Sequence, residues 1–344
     1  MKLLVITQVL DSQDSNLGFF HQWIEEFAHH CERVTVICLR RGDHVLPPNV
    51  TVLSLGKEEG TSRPTRVFRF FRYIYTYRNE YDAVFVHMNP EYIVLGGYFW
   101  RHWEKRVGLW YAHKSLTRAL SFAVTLVDRV CTVAEDSFPI RTPKLVALGH
   151  GIDTAIFKPE NHLESTKTRI ITTGRIAESK HLVDMLETLD ALHAQQEKFI
   201  FTIVGIPTTP QEEKYAAVLR QEIARRPYAD HIRMLGSVPH HRLPELLNGQ
   251  DIFFNFGGTG NMDKAGLEAL ACGVPVLTTN PQFAGLLSVY GLYVPTMAGE
   301  TVAQALVTFL SRSDRSAIAA TLRNKVNAEH SLTRLVPKIL KELQ

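Results

Sequence analysis

The chain alternates short, β-branched apolar runs with longer stretches of helical periodicity, and it does so twice over. In the first half the runs Leu3–Thr7, Val34–Leu39, Val50–Leu55, Ala83–His87, Val107–Tyr111, Val127–Val133 and Leu145–Leu148 predict strands. Runs this apolar, separated by helical stretches, imply strands buried on both faces, as in a parallel sheet covered by helices. Gln22–His30, with Trp23, Phe27 and Ala28 on one side, predicts the first crossover helix. A polar, weakly patterned passage from Pro159 to Thr168 (PENHLESTKT) marks the expected domain boundary. The alternation then restarts with strand Ile170–Thr173, helix Leu182–His193, strand Phe199–Val204, helix Glu212–Ala224 and strand Ile232–Leu235. Helix Arg242–Leu247, strand Ile252–Phe256, helix Asp263–Cys272 and strand Val274–Thr278 complete it. The remainder reads as helical, with a polar break around His330 and a closing segment Thr333–Leu343. The expected class is therefore α/β, as two tandem domains. Ligands bind outside the carboxyl ends of such sheets, so a cleft between the domains is the expected site.

Composition narrows this reading without redirecting it. A chain of 344 residues is long for one core and suits two domains of roughly 150–180 residues. Its 45% hydrophobic and 21% charged content excludes disorder. No stretch reaches the ~20 apolar residues of a membrane span. The opening MKLLVITQVL has the length of a signal peptide, but Asp11, Asp14 and Asn16 follow at once, which favours a first strand. Cys31, Cys38, Cys131 and Cys272 show no CxxC pairing and read as buried thiols in a reducing, cytoplasmic compartment. A net charge of +3 is too mild for a nucleic-acid binder.

Four segments carry candidate chemistry. GRIAESK, Gly174 to Lys180, follows a strand where a parallel sheet presents its carboxyl ends. The Arg175 fork and the Lys180 ammonium suit phosphate oxygens, and together they could neutralise a departing diphosphate. A solvated turn with ordinary surface charges is the plainer reading. In FGGTGNMDKAGLEALACGVPV, Gly257, Gly258 and Gly260 lie between strand and helix, where backbone N–H groups can approach an anion. Asp263 is the expected N-cap, and Glu268 in the second turn could accept hydrogen bonds from two ribose hydroxyls. A plain strand–helix–strand unit explains Gly273 as a C-cap, but neither the three loop glycines nor Gly266 inside the helix. In WYAHKSLTRAL, His113 follows a strand and either contacts a sugar or is a satisfied core histidine; His87 has the same two readings. Gly18, after the first strand, either lets backbone reach a diphosphate or simply turns the chain, and HGID, His150 to Asp153, shapes a cleft floor or a turn.

RPTRVFRFFRYIYTYR, Arg63 to Arg78, holds five arginines among phenylalanines and tyrosines and no acidic residue. Arg66, Arg69 and Arg72 form a stripe on a helix that can lie at a bilayer surface, or one whose rings face the protein core. YFWRHWEKR, Tyr98 to Arg106, has the same character.

In combination these segments resemble glycosyltransferase family 4 (group 1), retaining enzymes of the GT-B fold with two Rossmann-like domains. GRIAESK matches the family's Gly-Arg-x-x-x-x-Lys element, and LEALACGVPV, Leu267 to Val276, its Leu-Glu-Ala-x-Ala-x-Gly-x-Pro-Val element. The resemblance implies an acceptor-binding domain 1–160, a nucleotide-sugar domain 161–330, and a helix 331–344 packing back on the first. It implies that Arg175 and Lys180 bind the donor diphosphate, Glu268 the ribose, Gly18 the phosphates and His113 the transferred sugar, with no metal and no cofactor. Gly258, Gly260 and Asp263 would complete the donor site. The donor would be UDP- or GDP-linked and the acceptor a glycan or lipid-linked, at the cytoplasmic face of a membrane touched by Arg63–Arg78. One feature departs from the family pattern: its Glu-x7-Glu pair lacks the first glutamate, since that position is Gly260. Asp263 either takes over its contact with the sugar or is only a cap. A non-catalytic nucleotide-sugar-binding scaffold and a nucleotide-sugar epimerase are the competing functions.

Overall fold

The structure, a computed structural model, describes residues 1–160, 165–257 and 261–344. These form two compact units: residues 1–153 with 331–344, and residues 154–330.

Unit 1 carries a parallel sheet built from β1 (Lys2–Leu10), β2 (Arg33–Arg41), β3 (Val50–Ser54), β4 (Ala83–His87), β5 (Arg106–Trp110), β6 (Arg129–Thr132) and β7 (Leu145–Ala147). Their order is β3-β2-β1-β4-β5-β6-β7. The strand order therefore reverses between β1 and β4. Successive side chains of a strand point to opposite faces, and β1 shows why its Leu3–Ile6 run is apolar without a break. Leu3 and Val5 join one core with α1 (Phe19–His30), whereas Leu4 and Ile6 join another beneath α2 (Arg63–Thr76), α3 (Pro90–His102) and α4 (Arg118–Leu126).

Unit 2 repeats the plan with β8 (Thr168–Thr173), β9 (Phe199–Val204), β10 (Ile232–Gly236), β11 (Ile252–Asn255) and β12 (Val276–Thr278), ordered β10-β9-β8-β11-β12 and all parallel. Its helices are α5 (Leu182–Ala194), α6 (Pro210–Ala224), α7 (Leu243–Leu247), α8 (Lys264–Ala271), α9 (Ala284–Leu287), α10 (Gly299–Leu310) and α11 (Arg315–His330). The reversal here falls between β8 and β11. Such a switch point opens a crevice outside the carboxyl ends of the two strands.

The last helix, α12 (Leu332–Glu342), lies in unit 1. Leu332, Leu335, Val336, Ile339, Leu340 and Leu343 recur at helical spacing and enter the α1 core. The passage into unit 2 comes at Asp153, ahead of the polar run 159–168 to which the sequence pattern points. Phe157 is fully buried, with its ring 5.2 Å from that of His240, so the chain is already anchored before the polar run begins. Helices α3 and α4 have no counterpart among the helices expected from periodicity. Gly96 and Gly97 break the apolar pattern of α3, and each leaves room for a ring or side chain, Trp100 and Leu126.

Candidate functional site

The carboxyl ends of β8, β9 and β11 each run into a glycine in a left-handed or related backbone region. Gly174 has φ +133°, Gly205 φ +142° and Gly257 φ +81°. Sterics compound the requirement at Gly205, where a Cβ would sit 1.8 Å from the Gly174 carbonyl oxygen. These tight turns carry the backbone away from the strand ends and leave the space above them to side chains. Lys180 uses that space: its stem crosses Gly174, where a Cβ would approach Cε to 3.1 Å.

Arg175 and Lys180 both come from the loop after β8, and each meets a carboxylate. Arg175 Nη1 donates to Glu212 Oε1 at 2.7 Å, while about half of the arginine side chain stays exposed. Glu212 is buried in the first turn of α6, and its other oxygen accepts from the Thr208 N–H and hydroxyl, both at 2.7 Å. Burial opposes the charge of Glu212, but the Thr208 bonds and then Arg175 outweigh it and lower its pKa. Lys180 pairs with Asp263, which follows β11, so this ion pair spans the switch point. Asp263 also caps α8 by accepting from Ala265 N–H at 3.2 Å, and takes the Asn255 amide at 3.1 Å. Burial works against its ionisation; the Lys180 ammonium prevails and holds its carboxyl below the usual carboxylate range.

Glu268, one turn further along α8, is 4% exposed. Lys264 Nζ donates to its Oε1 at 2.5 Å, and His240 Nε2 donates to the same atom at 2.7 Å. Burial alone would raise its pKa, yet Lys264 and then His240 bring it down to about 2. Glu268 is thus a carboxylate held ionised inside the protein, with Oε2 outside these two contacts. Gly266 on the same helix faces Phe283, whose ring a Cβ would meet at 2.9 Å. Close packing therefore explains this mid-helix glycine.

Of the residues expected to form the donor site, the structure brings Arg175, Lys180, Asp263 and Glu268 to one end of the unit 2 sheet. Gly258 and Gly260 lie outside the described residues. Sequence reading missed Glu212, His240 and Lys264. Glu212 is disguised as an ordinary first-turn acid after the Thr209 cap. His240 is far away in sequence, and only the four-residue spacing of Lys264 and Glu268 was available as a signal. His181 was missed as well. It adopts φ +52°, a region that disfavours side chains, and its Nδ1 bonds Asp184 at 2.9 Å.

In unit 1, Gly18 caps α1 with helical dihedrals, and a Cβ there would meet the Asp14 carbonyl oxygen at 2.3 Å. Close backbone approach, not a left-handed turn, fixes this glycine. His113 lies in the exposed segment after β5, its Nδ1 accepting from the Ser115 N–H at 3.0 Å. His87 is a core residue. It stacks on Phe20 with ring centroids 4.1 Å apart, and burial pushes its imidazole down to about 3. In HGID, Gly149 turns the chain at φ +83° and Gly151 seats against Trp23 and Leu335.

The basic aromatic segment divides between the two readings. Phe70 and Ile74 of α2 are buried, whereas Phe68 and Tyr75 are exposed. Arg69 pairs with Glu59 at 2.8 Å; Arg72 faces solvent. Tyr98 and Phe99 of α3 and Phe122 of α4 are also exposed. Ring contacts link Phe71 to Phe99, Tyr75 to Trp103, Phe99 to Trp103 and Tyr98 to Phe122. Sequence-separated rings thus gather on one side of unit 1. Among the described residues no helix is long and apolar enough to cross a membrane.

Comparison with known proteins bears on unit 2 first. Residues 153–292 match the family described as glycosyl transferases group 1. WcaL of Escherichia coli (strain K12), a protein named as a glycosyltransferase of colanic acid biosynthesis, is 28% identical over 206 residues, which are 56% of this chain and 48% of that protein. The phosphatidylinositol N-acetylglucosaminyltransferase GPI3 subunit of Saccharomyces cerevisiae (strain YJM789) is 23% identical over 206 residues, 56% of this chain and 44% of the subunit. The match thus spans less than half the length of these relatives. Anabaena Alr3699/HepE, solved in complex with UDP and glucose, superposes with a TM-score of 0.76 at 16% identity, covering 100% of this chain and 99% of that one. Residues 153–292 are thus similar to the group 1 glycosyl transferases, and the two parallel-sheet α/β domains have the GT-B fold.

Proposed function

We propose that the protein transfers a sugar from a nucleoside-diphosphate sugar, UDP- or GDP-linked, to a lipid-linked or polysaccharide acceptor. The observation that carries this reading is the cluster at the unit 2 switch point: two cations from the loop after β8, beside a buried ionised carboxylate. The named activities of WcaL and the GPI3 subunit, and the UDP seen in HepE, support it.

In this reading the acceptor oxygen bonds to the anomeric carbon while the bond from that carbon to the β-phosphate oxygen breaks. The bonding pair leaves with the nucleoside diphosphate, and the acceptor proton passes to the departing phosphate oxygen. Negative charge therefore grows on the diphosphate, where fixed cations lower the barrier most. Arg175 retains donors beyond the one given to Glu212, and Lys180 beyond the one given to Asp263. Glu268 Oε2 is available to accept from ribose hydroxyls. The family resemblance adds Gly18 at the phosphates, His113 at the transferred sugar, and front-face attack with retention and without a metal.

The exposed rings and arginines of α2, α3 and α4 support a peripheral membrane partner. Aromatic rings suit the interface and arginines suit anionic headgroups. Docking there from the cytoplasmic side would bring the protein to a lipid-linked acceptor.

Incubation with a panel of labelled nucleotide sugars and a membrane fraction tests the reading. Label should enter the acceptor with wild type and fall at least 100-fold with Arg175→Ala or Glu268→Ala. Unchanged transfer by both variants overturns the assignment. Nucleotide-sugar binding without transfer would instead favour the scaffold reading.

A further inference from the structure

We propose that Asp263 is a positioning residue: it holds the Lys180 ammonium over the carboxyl ends of β8 and β11 for the donor diphosphate and does not touch the transferred sugar. This rests on the donor reading of unit 2 and assigns a role within it.

The two roles open to Asp263 from sequence were a sugar contact replacing the glutamate absent at Gly260, or a helix cap alone. The geometry supplies a third. Oδ1 accepts the Ala265 N–H and so caps α8. Oδ2 accepts from both Lys180 and the Asn255 amide. Asn255 is itself immobilised, because the fully buried Thr278 hydroxyl bonds its backbone oxygen at 2.7 Å and its side-chain oxygen at 3.0 Å. The connected groups run Thr278, Asn255, Asp263, Lys180, from the end of β12 across β11 to the loop after β8. Both carboxylate oxygens are thereby engaged on the protein side. Sugar hydroxyls would have to share them.

Lysine is a flexible point charge, and holding it in place removes the ordering cost that a phosphate would otherwise meet on binding. One of its three N–H donors goes to Asp263, and two remain for phosphate oxygens. The same logic puts Glu212 behind Arg175, so each cation on the β8 loop is braced by a carboxylate from a different element.

The test is calorimetric titration of the full chain with UDP and GDP, and with those UDP- and GDP-hexoses that raise the wild-type melting temperature. Wild type is compared with Asp263→Asn, Asp263→Ser, Lys180→Met and the Asp263→Asn/Lys180→Met pair. Serine retains the cap without the charge, so a variant that melts like wild type yet binds weakly has lost positioning, not folding. The expected result is a loss on the order of tenfold in affinity, equal for the free diphosphate and its sugar conjugate, as for loss of one charge-assisted contact. The paired variant should bind no worse than Lys180→Met alone. A loss confined to the sugar conjugate, additive losses in the pair, or unchanged affinity in both Asp263 variants would each overturn the proposal. Wild-type protein that binds none of these nucleotides would instead overturn the donor reading itself.

Discussion

Glu268→Gln keeps the shape of the side chain and removes its charge. In the wild-type protein this carboxylate is 4% exposed, with Lys264 and His240 both on Oε1. Burial opposes ionisation, and Lys264 and His240 outweigh it, taking the group from an ordinary 4.5 to about 2. A drop of roughly two and a half pH units corresponds to about 3 kcal/mol of stability at neutral pH. Lys264 is partly exposed and its ammonium can reach water in the variant, so about 2 kcal/mol is the expected loss. Because the folded-state value is depressed, this contribution is complete well above pH 4.5 and disappears as pH falls from there towards 2. Urea unfolding at pH 7, 5, 4 and 3 measures it. Circular dichroism follows both units, whereas tryptophan fluorescence follows unit 1, which holds Trp23, Trp100, Trp103 and Trp110. The variant should trail wild type by nearly the full amount at pH 7 and 5, by about three quarters of it at pH 4 and by less than half of it at pH 3. A gap that is the same at every pH would refute the pairing as the source of the stability.

Gly205→Ala should destabilise unit 2 by at least 2 kcal/mol and weaken nucleotide binding, since its Cβ would collide with the Gly174 carbonyl at a φ that alanine avoids; a wild-type melting temperature would contradict this. Leu335→Ala on α12 should cost about 2–5 kcal/mol in the tryptophan-detected transition, because Leu335 is 1% exposed in the α1 core. An unchanged transition would mean that α12 contributes little to unit 1. Combined Phe99→Ser and Phe122→Ser should reduce sedimentation with phosphatidylglycerol vesicles at least tenfold and leave transfer to a soluble acceptor intact. Equal sedimentation by variant and wild type would place the membrane contact elsewhere.

Much of the fold was legible along the chain because burial on both sheet faces forces continuous apolar runs. β4 and β9 begin and end at the residues the pattern marks, and β1 and β8 extend beyond their apolar runs by a few ladder positions. Arg175 and Lys180 were visible because they follow the end of β8, where a parallel sheet exposes side chains, and Asp263 and Glu268 because they cap and occupy the helix behind a glycine-containing loop.

What the sequence could not determine is which groups those residues face. Carboxylates on other elements brace both cations: Glu212 comes from α6 and Asp263 from beyond β11, 37 and 83 positions away. His240 reaches Glu268 from 28 positions away. His87 ends β4 and His113 follows β5 by three residues, yet one is sealed beneath Phe20 and the other exposed. The exposed rings of α2, α3 and α4 meet only after three separate segments fold onto one sheet face. Chain pattern records how each residue relates to its own strand or helix, through periods of 2 and 3.6. Ionisation, pairing and exposure depend on neighbours brought in by sheet order, and the tertiary structure alone decides those.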